Sequence, residues 1–116
     1  MALSREEVEE ILTACNNLKH YTLLLAVYSA GLRVSEVVNL QPVHIERSRR
    51  MIRIEQGKGK KDRYTVLSDT LLNTFEEYWR TYRPGKWIFP GNTRDKHLSI
   101  NSAQRIYYKA KIKAGV

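Results

Sequence analysis

A chain of 116 residues fits one domain, and a domain of that size buries roughly two thirds of the surface its unfolded chain exposes, so neither disulfides nor a structural metal is required. The single cysteine, Cys15, cannot pair within the chain, which argues for a reducing, cytoplasmic setting, and the longest apolar run, residues 23–28, is far short of the roughly 18 to 20 residues a bilayer needs. The formal charge of +8 is concentrated, with +6 over residues 47–63 and +5 over residues 94–116 against −3 over residues 1–46, and two basic blocks of this kind point to a polyanion, most simply nucleic acid.

Residues 1–10 hold four glutamates and no apolar run, which excludes a secretory or transit leader of the usual composition. Ser4 with Glu7 forms a capping box, and Val8, Ile11, Leu12 and Cys15 recur at helical spacing, which predicts a first amphipathic helix from about Arg5 to Leu18. Residues 20–30 are apolar around most of the helical circumference and predict a helix buried on several sides, with Gly31 as its stop. A third helical pattern, Val34, Val37, Val38 and Leu40, runs to Pro42, so Arg33 falls at a corner between two helices.

Beyond Pro42 the period changes to two. Ile52 and Ile54 face one way, Met51, Arg53 and Glu55 the other, and Tyr64 with Val66 share a face after the loop Gly57-Lys58-Gly59-Lys60-Lys61-Asp62. This predicts an antiparallel hairpin with a long, basic, glycine-rich tip, to which residues 43–46 add a third short strand. Ser68 caps a further helix with Leu71, Leu72, Phe75, Trp79 and Tyr82 on its inward face, ending before Pro84-Gly85. A turn-rich stretch follows. Ser99 then caps a last helix with Ala103, Ile106, Tyr107, Ala110 and Ala114 inward and Ser102, Gln104, Arg105, Tyr108, Lys109 and Lys111 outward. The expected class is α+β, mainly helical: about five helices with a small hairpin or three-stranded sheet, in a single domain over residues 1–116.

Candidate chemistry narrows by residue type. Glu36, Glu46, Glu55 and Asp62 show no paired spacing for a two-metal site, the three histidines and one cysteine are too dispersed for zinc, and the Gly-Lys-Gly segment lacks phosphate-loop spacing. Arginine and lysine remain. A guanidinium at a helix start can grip a phosphodiester by two parallel hydrogen bonds, and a loop lysine can supply a proton or a point charge.

Ala30-Gly31-Leu32-Arg33-Val34-Ser35-Glu36, followed by Gly57-Lys58-Gly59, resembles the catalytic domain of tyrosine site-specific recombinases of the phage integrase and Xer type. The opening Leu3-Ser4-Arg5-Glu6-Glu7 helix, the Trp87-Ile88-Phe89-Pro90 segment and the closing basic helix ending in Lys113-Ala114-Gly115 extend the likeness over essentially the whole chain. The resemblance implies that Arg33 binds the scissile phosphate, that Lys58 protonates the leaving 5′ oxygen, and that Glu36 is the acidic partner that orients the arginine. It implies no metal, nucleotide or organic cofactor, because the reaction conserves its energy in a 3′-phosphotyrosine.

The family's His-x-x-Arg element and nucleophilic tyrosine have no match here, and none of the seven tyrosines follows such an element. The expectation is therefore a partial catalytic domain without the amino-terminal DNA-clamping domain, inactive alone and monomeric, from a parent that is tetrameric on DNA. Lys60, Lys61 and Arg63 are candidate phosphate contacts. Gln104, Arg105 and Lys109 are candidate groove contacts, or else an ordinary solvated helix face. A non-catalytic DNA-binding regulator of the same fold is the alternative.

Overall fold

A computed structural model describes residues 3–56 and 59–116. Its elements follow from local signals in the chain. The Ser4 hydroxyl oxygen accepts the Glu7 backbone N–H and the Glu7 carboxylate accepts the Ser4 backbone N–H, which starts α1 at Arg5–Ala14. The helix stops there, short of the predicted Leu18. The Asn17 side chain accepts the His20 amide and caps a new helix, α2, over Leu18–Ala30. An asparagine side chain competes with helical hydrogen bonds but serves well as an N-cap, so the Asn16-Asn17 pair moves the boundary between the two predicted helices, ending the first before Leu18 and starting the second there. Gly31 ends α2 at a φ of +67°, where a Cβ would be strained.

Arg33 is the N-cap of α3, Val34–Val38. A 3-10 turn at Pro42–His44 leads into β1, Ile45–Glu46, which pairs antiparallel with β2, Met51–Ile54. β2 pairs in turn with β3, Arg63–Val66, with Ile52 opposite Thr65 and Ile54 opposite Arg63. Ile52 and Ile54 are buried, while Tyr64 and Val66 share the outer face. Ser68 caps α4, Asp69–Tyr82, and Ser99 caps α5, Ile100–Ala114. Among the described residues this makes five α-helices and one three-stranded sheet in the order β1-β2-β3, the α+β, mainly helical arrangement expected.

The core gathers Ile11, the Leu23–Ala26 stretch of α2, Val37, Val38, Ile52, Leu71, Tyr78 and Phe89. α2 packs on α4, and α5 packs on α1 and α3. One expectation for α4 is corrected. Tyr78 is buried with Phe75, at 1% and 6% exposure, whereas Trp79 and Tyr82 are 39% and 43% exposed. At about 100° per residue, Trp79 falls between Phe75 and Leu72 on the circumference and Tyr78 at the other edge of the stripe, so periodicity does not choose between them; tertiary packing draws Tyr78 inward. Tyr82 belongs to the stripe, but in the last turn it lies against Tyr78, with ring centroids 5.0 Å apart, instead of entering the core. Cys15 is only partly buried, and its thiol donates to the Ile11 carbonyl. No described helix is long and apolar enough to cross a membrane.

The Tyr78 hydroxyl donates to the Ile88 carbonyl at 2.6 Å, tying α4 to the segment that follows it. Replacing Tyr78 by Phe leaves that carbonyl buried and unpaired, at a cost of about 1–3 kcal/mol. Chemical denaturation should show a lowered midpoint with unchanged slope, and an unchanged midpoint would remove this bond from the account.

Candidate functional site

The α2–α3 corner holds Arg33 outward because of backbone geometry. Gly31 turns the chain, Leu32 is buried and anchors it, and Arg33 begins the next helix in extended conformation with its side chain exposed. Three residues on, Glu36 turns back. Its Oε1 accepts the Arg33 backbone N–H at 2.8 Å and the Arg63 guanidinium at 2.6 Å. The carboxylate thus links the start of α3 to the start of β3. Its side chain is 13% exposed. Burial alone would raise the Glu36 pKa, but the Arg33 amide and the hydrogen bond and charge of Arg63 outweigh it, helped by the Arg33 charge, so the carboxyl titrates below its ordinary range.

Arg33 lines a hollow of about 450 Å³ with Ser35, Glu36, Asn39, Gln41, His44, Arg53, Glu55, Gln56 and Trp87. Among the described residues no carboxylate comes within ion-pairing distance of the Arg33 guanidinium. The two carboxylates nearest to hand are engaged elsewhere: Glu36 as above, and Glu55 by His44 Nε2 at 2.7 Å and Arg53 at 3.4 Å. A free guanidinium in a polar hollow, fixed at its backbone, is suited to binding a phosphate oxyanion.

The sequence-predicted residues fall into four groups. Arg33 and Glu36 share the hollow, although Glu36 bonds the amide of Arg33 and the guanidinium of Arg63 rather than the guanidinium of Arg33. Lys58 lies outside the described residues. Lys60 and Lys61 are exposed on the β2–β3 connection, whereas Arg63 is half-buried in its ion pair with Glu36. Gln104, Arg105 and Lys109 point to solvent from α5 and do not line the hollow.

Sequence reasoning missed His44, Arg53 and Trp87 as parts of this site. His44 was set aside as a dispersed histidine, yet it is one of two buried polar residues of the described chain, 4% exposed. Its signal was its place three residues after Gln41, with Pro42 between, where a side chain can reach back to cap a turn. Trp87 stands in the loop after α4, with its indole N–H on the Asp95 carbonyl, and Lys19 of α2 holds that loop through a 2.8 Å bond to the Pro90 carbonyl. Burial lowers the Lys19 pKa.

Comparison with known proteins agrees with this fold. The sequence model of the phage integrase family matches residues 2–116, and the chain belongs to that family. It is 49% identical over 108 residues to y4qK of Sinorhizobium fredii, which carries an integrase/recombinase name, covering 93% of this chain and 35% of that protein. It is 39% identical over 96 residues to the tyrosine recombinase XerA of Pyrococcus horikoshii, covering 82% of this chain and 34% of that one. The chain thus spans about a third of the length of these relatives. Its fold matches the crystal structure of XerA recombinase with a TM-score of 0.88 at 22% identity, over 99% of this chain and 42% of that one. It matches a lambda integrase dimer bound to a COC′ core site with a TM-score of 0.77 at 18% identity, over 100% of this chain and 44% of that one. Its family and fold are thus those of the tyrosine recombinases it resembles.

The lowered Glu36 pKa fixes a sign. A carboxyl depressed in the native state stabilises the fold above its unfolded pKa, near 4.5, and the contribution is lost as the pH falls through the native value. The stability difference between wild type and Glu36→Gln, read by urea denaturation, should be widest near neutrality and narrow as the pH is stepped down below 4.5. A gap that is constant with pH would mean that the charge on Glu36 is not what holds the two elements together.

Proposed function

We propose that this chain is the DNA-binding, partial catalytic core of a site-specific tyrosine recombinase, a protein that cleaves and rejoins duplex DNA through a 3′-phosphotyrosine. The observation that carries the reading is the exposed, unpaired Arg33 guanidinium in its polar hollow, on a backbone corner fixed by Glu36. Arg33 neutralises the non-bridging oxygens of the scissile phosphate as charge builds on them. Lys58, assigned on the Gly-Lys-Gly motif, gives its proton to the departing 5′ oxygen as the tyrosine oxygen bonds to phosphorus. Glu36 takes no part in proton transfer; it sets the start of α3 and thereby the direction from which Arg33 reaches the phosphate.

No tyrosine of this chain is the nucleophile in this reading. None lines the hollow, and Tyr78 is buried with its hydroxyl committed to Ile88. Burial, with smaller contributions from Tyr107 and Cys15, pushes the Tyr28 hydroxyl up to about 12, the wrong direction for a phenolate. The chain alone is therefore inactive and monomeric, the complete protein acts as a tetramer on paired sites in the cytoplasm, and the alternative of a non-catalytic DNA-binding regulator is tested by the same assays. The lambda integrase relative solved on a core site supports duplex DNA as the partner. Lys60 and Lys61 supply phosphate contacts, and Gln104, Arg105 and Lys109 of α5 enter a groove, with Gln104 and Arg105 suited to base edges.

Duplex affinity of the isolated chain, measured by fluorescence anisotropy, should fall by at least about tenfold between 50 and 200 mM salt, and binding indifferent to salt would contradict a phosphate interface. Incubated with nicked site DNA, the chain should give no denaturant-resistant adduct, and an adduct would restore one of its own tyrosines as nucleophile. In a complete recombinase carrying this sequence, Arg33→Ala should lower cleavage by roughly 10² or more while reducing DNA affinity only a few fold. Equal loss of both would assign Arg33 to general binding, and absence of cleavage by the intact complete protein would favour the regulator.

A further inference from the structure

His44 and Glu55 belong to a second polar tie at the same hollow, built like the first. His44 stands third in its 3-10 turn, and its Nδ1 accepts the Gln41 backbone N–H at 3.0 Å. A ring nitrogen that accepts an amide hydrogen carries no proton, so the hydrogen of the neutral ring is on Nε2, which donates to Glu55 Oε1 at 2.7 Å. Glu55 immediately follows β2. The same carboxylate oxygen receives Arg53 Nη1 at 3.4 Å, and that guanidinium nitrogen also reaches Asp62 at 3.4 Å, immediately before β3. The chain from His44 through Glu55 and Arg53 to Asp62 therefore spans the base of the β2–β3 connection, from one strand to the other.

The parallel with Glu36 is close. In each case the third residue of a short helical turn caps the backbone ahead of it and then bonds the hairpin, Glu36 to the first residue of β3 and His44 to the residue after β2. The two ties pin opposite strands of the hairpin to the framework that carries Arg33. Burial separates their strengths. His44 is 5% exposed at its side chain and bonded at both ring nitrogens, whereas Glu55 is 57% exposed, so the ring is the anchor and the carboxylate is the part held. A solvated glutamate alone would fix nothing.

We propose that His44 is a positioning residue that, through Glu55 and Arg53, sets the base of the basic β2–β3 connection beside Arg33, so that Lys60 and Lys61 meet the DNA backbone as a formed surface. The inference rests on the DNA-binding reading above for its consequence, but the placement of the connection is testable without DNA. Two isosteres divide the functions of the ring. In His44→Asn the side-chain oxygen stands near Nδ1, keeping the Gln41 cap and losing Glu55. In His44→Gln the amide nitrogen stands near Nε2, keeping the bond to Glu55 and losing the cap.

The first measurement is limited trypsinolysis of the free chain, with cleavage after Lys60 and Lys61 followed by mass spectrometry. His44→Asn should be cut there several-fold faster than wild type, and His44→Gln at close to the wild-type rate. Glu55→Ala, a change at an exposed position that leaves the ring buried, should match His44→Asn and serves if a histidine variant does not fold. The second measurement is the slope of log affinity for duplex DNA against log salt, which should shrink by about 1 to 2 in His44→Asn and Glu55→Ala and not in His44→Gln. Wild-type cleavage rates in Glu55→Ala, or equal acceleration in both histidine variants, would overturn the proposal and leave His44 as a turn cap. If wild type fails to bind duplex at all, the recombinase reading falls while the trypsin result still decides the tie.

Discussion

One carboxylate oxygen organises this site. Glu36 Oε1 accepts the amide of Arg33 and the guanidinium of Arg63 together, and in doing so fixes where α3 begins and where β3 lies against it. A five-residue helix has too few internal hydrogen bonds to define its own start, so a side chain that reaches back to the first amide has a disproportionate effect on its direction. Arg33 inherits that direction. Its backbone is held by Glu36 and the buried Leu32 before it, while its side chain remains unpaired and exposed. Function is thereby separated from support: neighbouring carboxylates hold main chain and strands, and leave the guanidinium to an outside ligand.

The helical frame was legible because its signals are local. Ser4 with Glu7, Ser68 and Ser99 mark helix starts, Gly31 and Gly115 mark ends in left-handed conformation, and the period-two pattern of Ile52 and Ile54 marks the strand beneath. Where the reading failed, it failed at boundaries that a periodicity argument cannot see. The apolar recurrence through Cys15 to Leu18 continues across a break that only the capping chemistry of Asn17 reveals. On α4 the choice among Tyr78, Trp79 and Tyr82 depended on which edge of the stripe faces the core and on where the core ends, both of which are tertiary facts.

The candidate site was half legible. Arg33 and Glu36 stood out through their spacing and motif, and the structure puts both at one hollow. The bond between Glu36 and Arg63 spans 27 positions and has no sequence periodicity to announce it. Arg63, read as a phosphate contact because it follows two lysines, is drawn inward as a structural cation, and His44, which looked incidental, is buried and doubly bonded. Charge counting treats every cation in a basic block alike. Geometry shows that Lys60 and Lys61 face solvent while Arg53 and Arg63 are engaged with carboxylates.

The pairing of Glu36 and Glu55 bears on electrostatic selectivity. An acidic wall around a phosphate pocket ordinarily repels the incoming ester and lowers its occupancy. Here the negative groups bordering the cavity are already matched, one to a guanidinium and the other to an imidazole N–H and a second guanidinium. Among the described residues lining the hollow, the cation without an internal counterpart is the side chain at position 33. In the proposed reading, such a cavity would discriminate by formal charge before shape, favouring anions over cations.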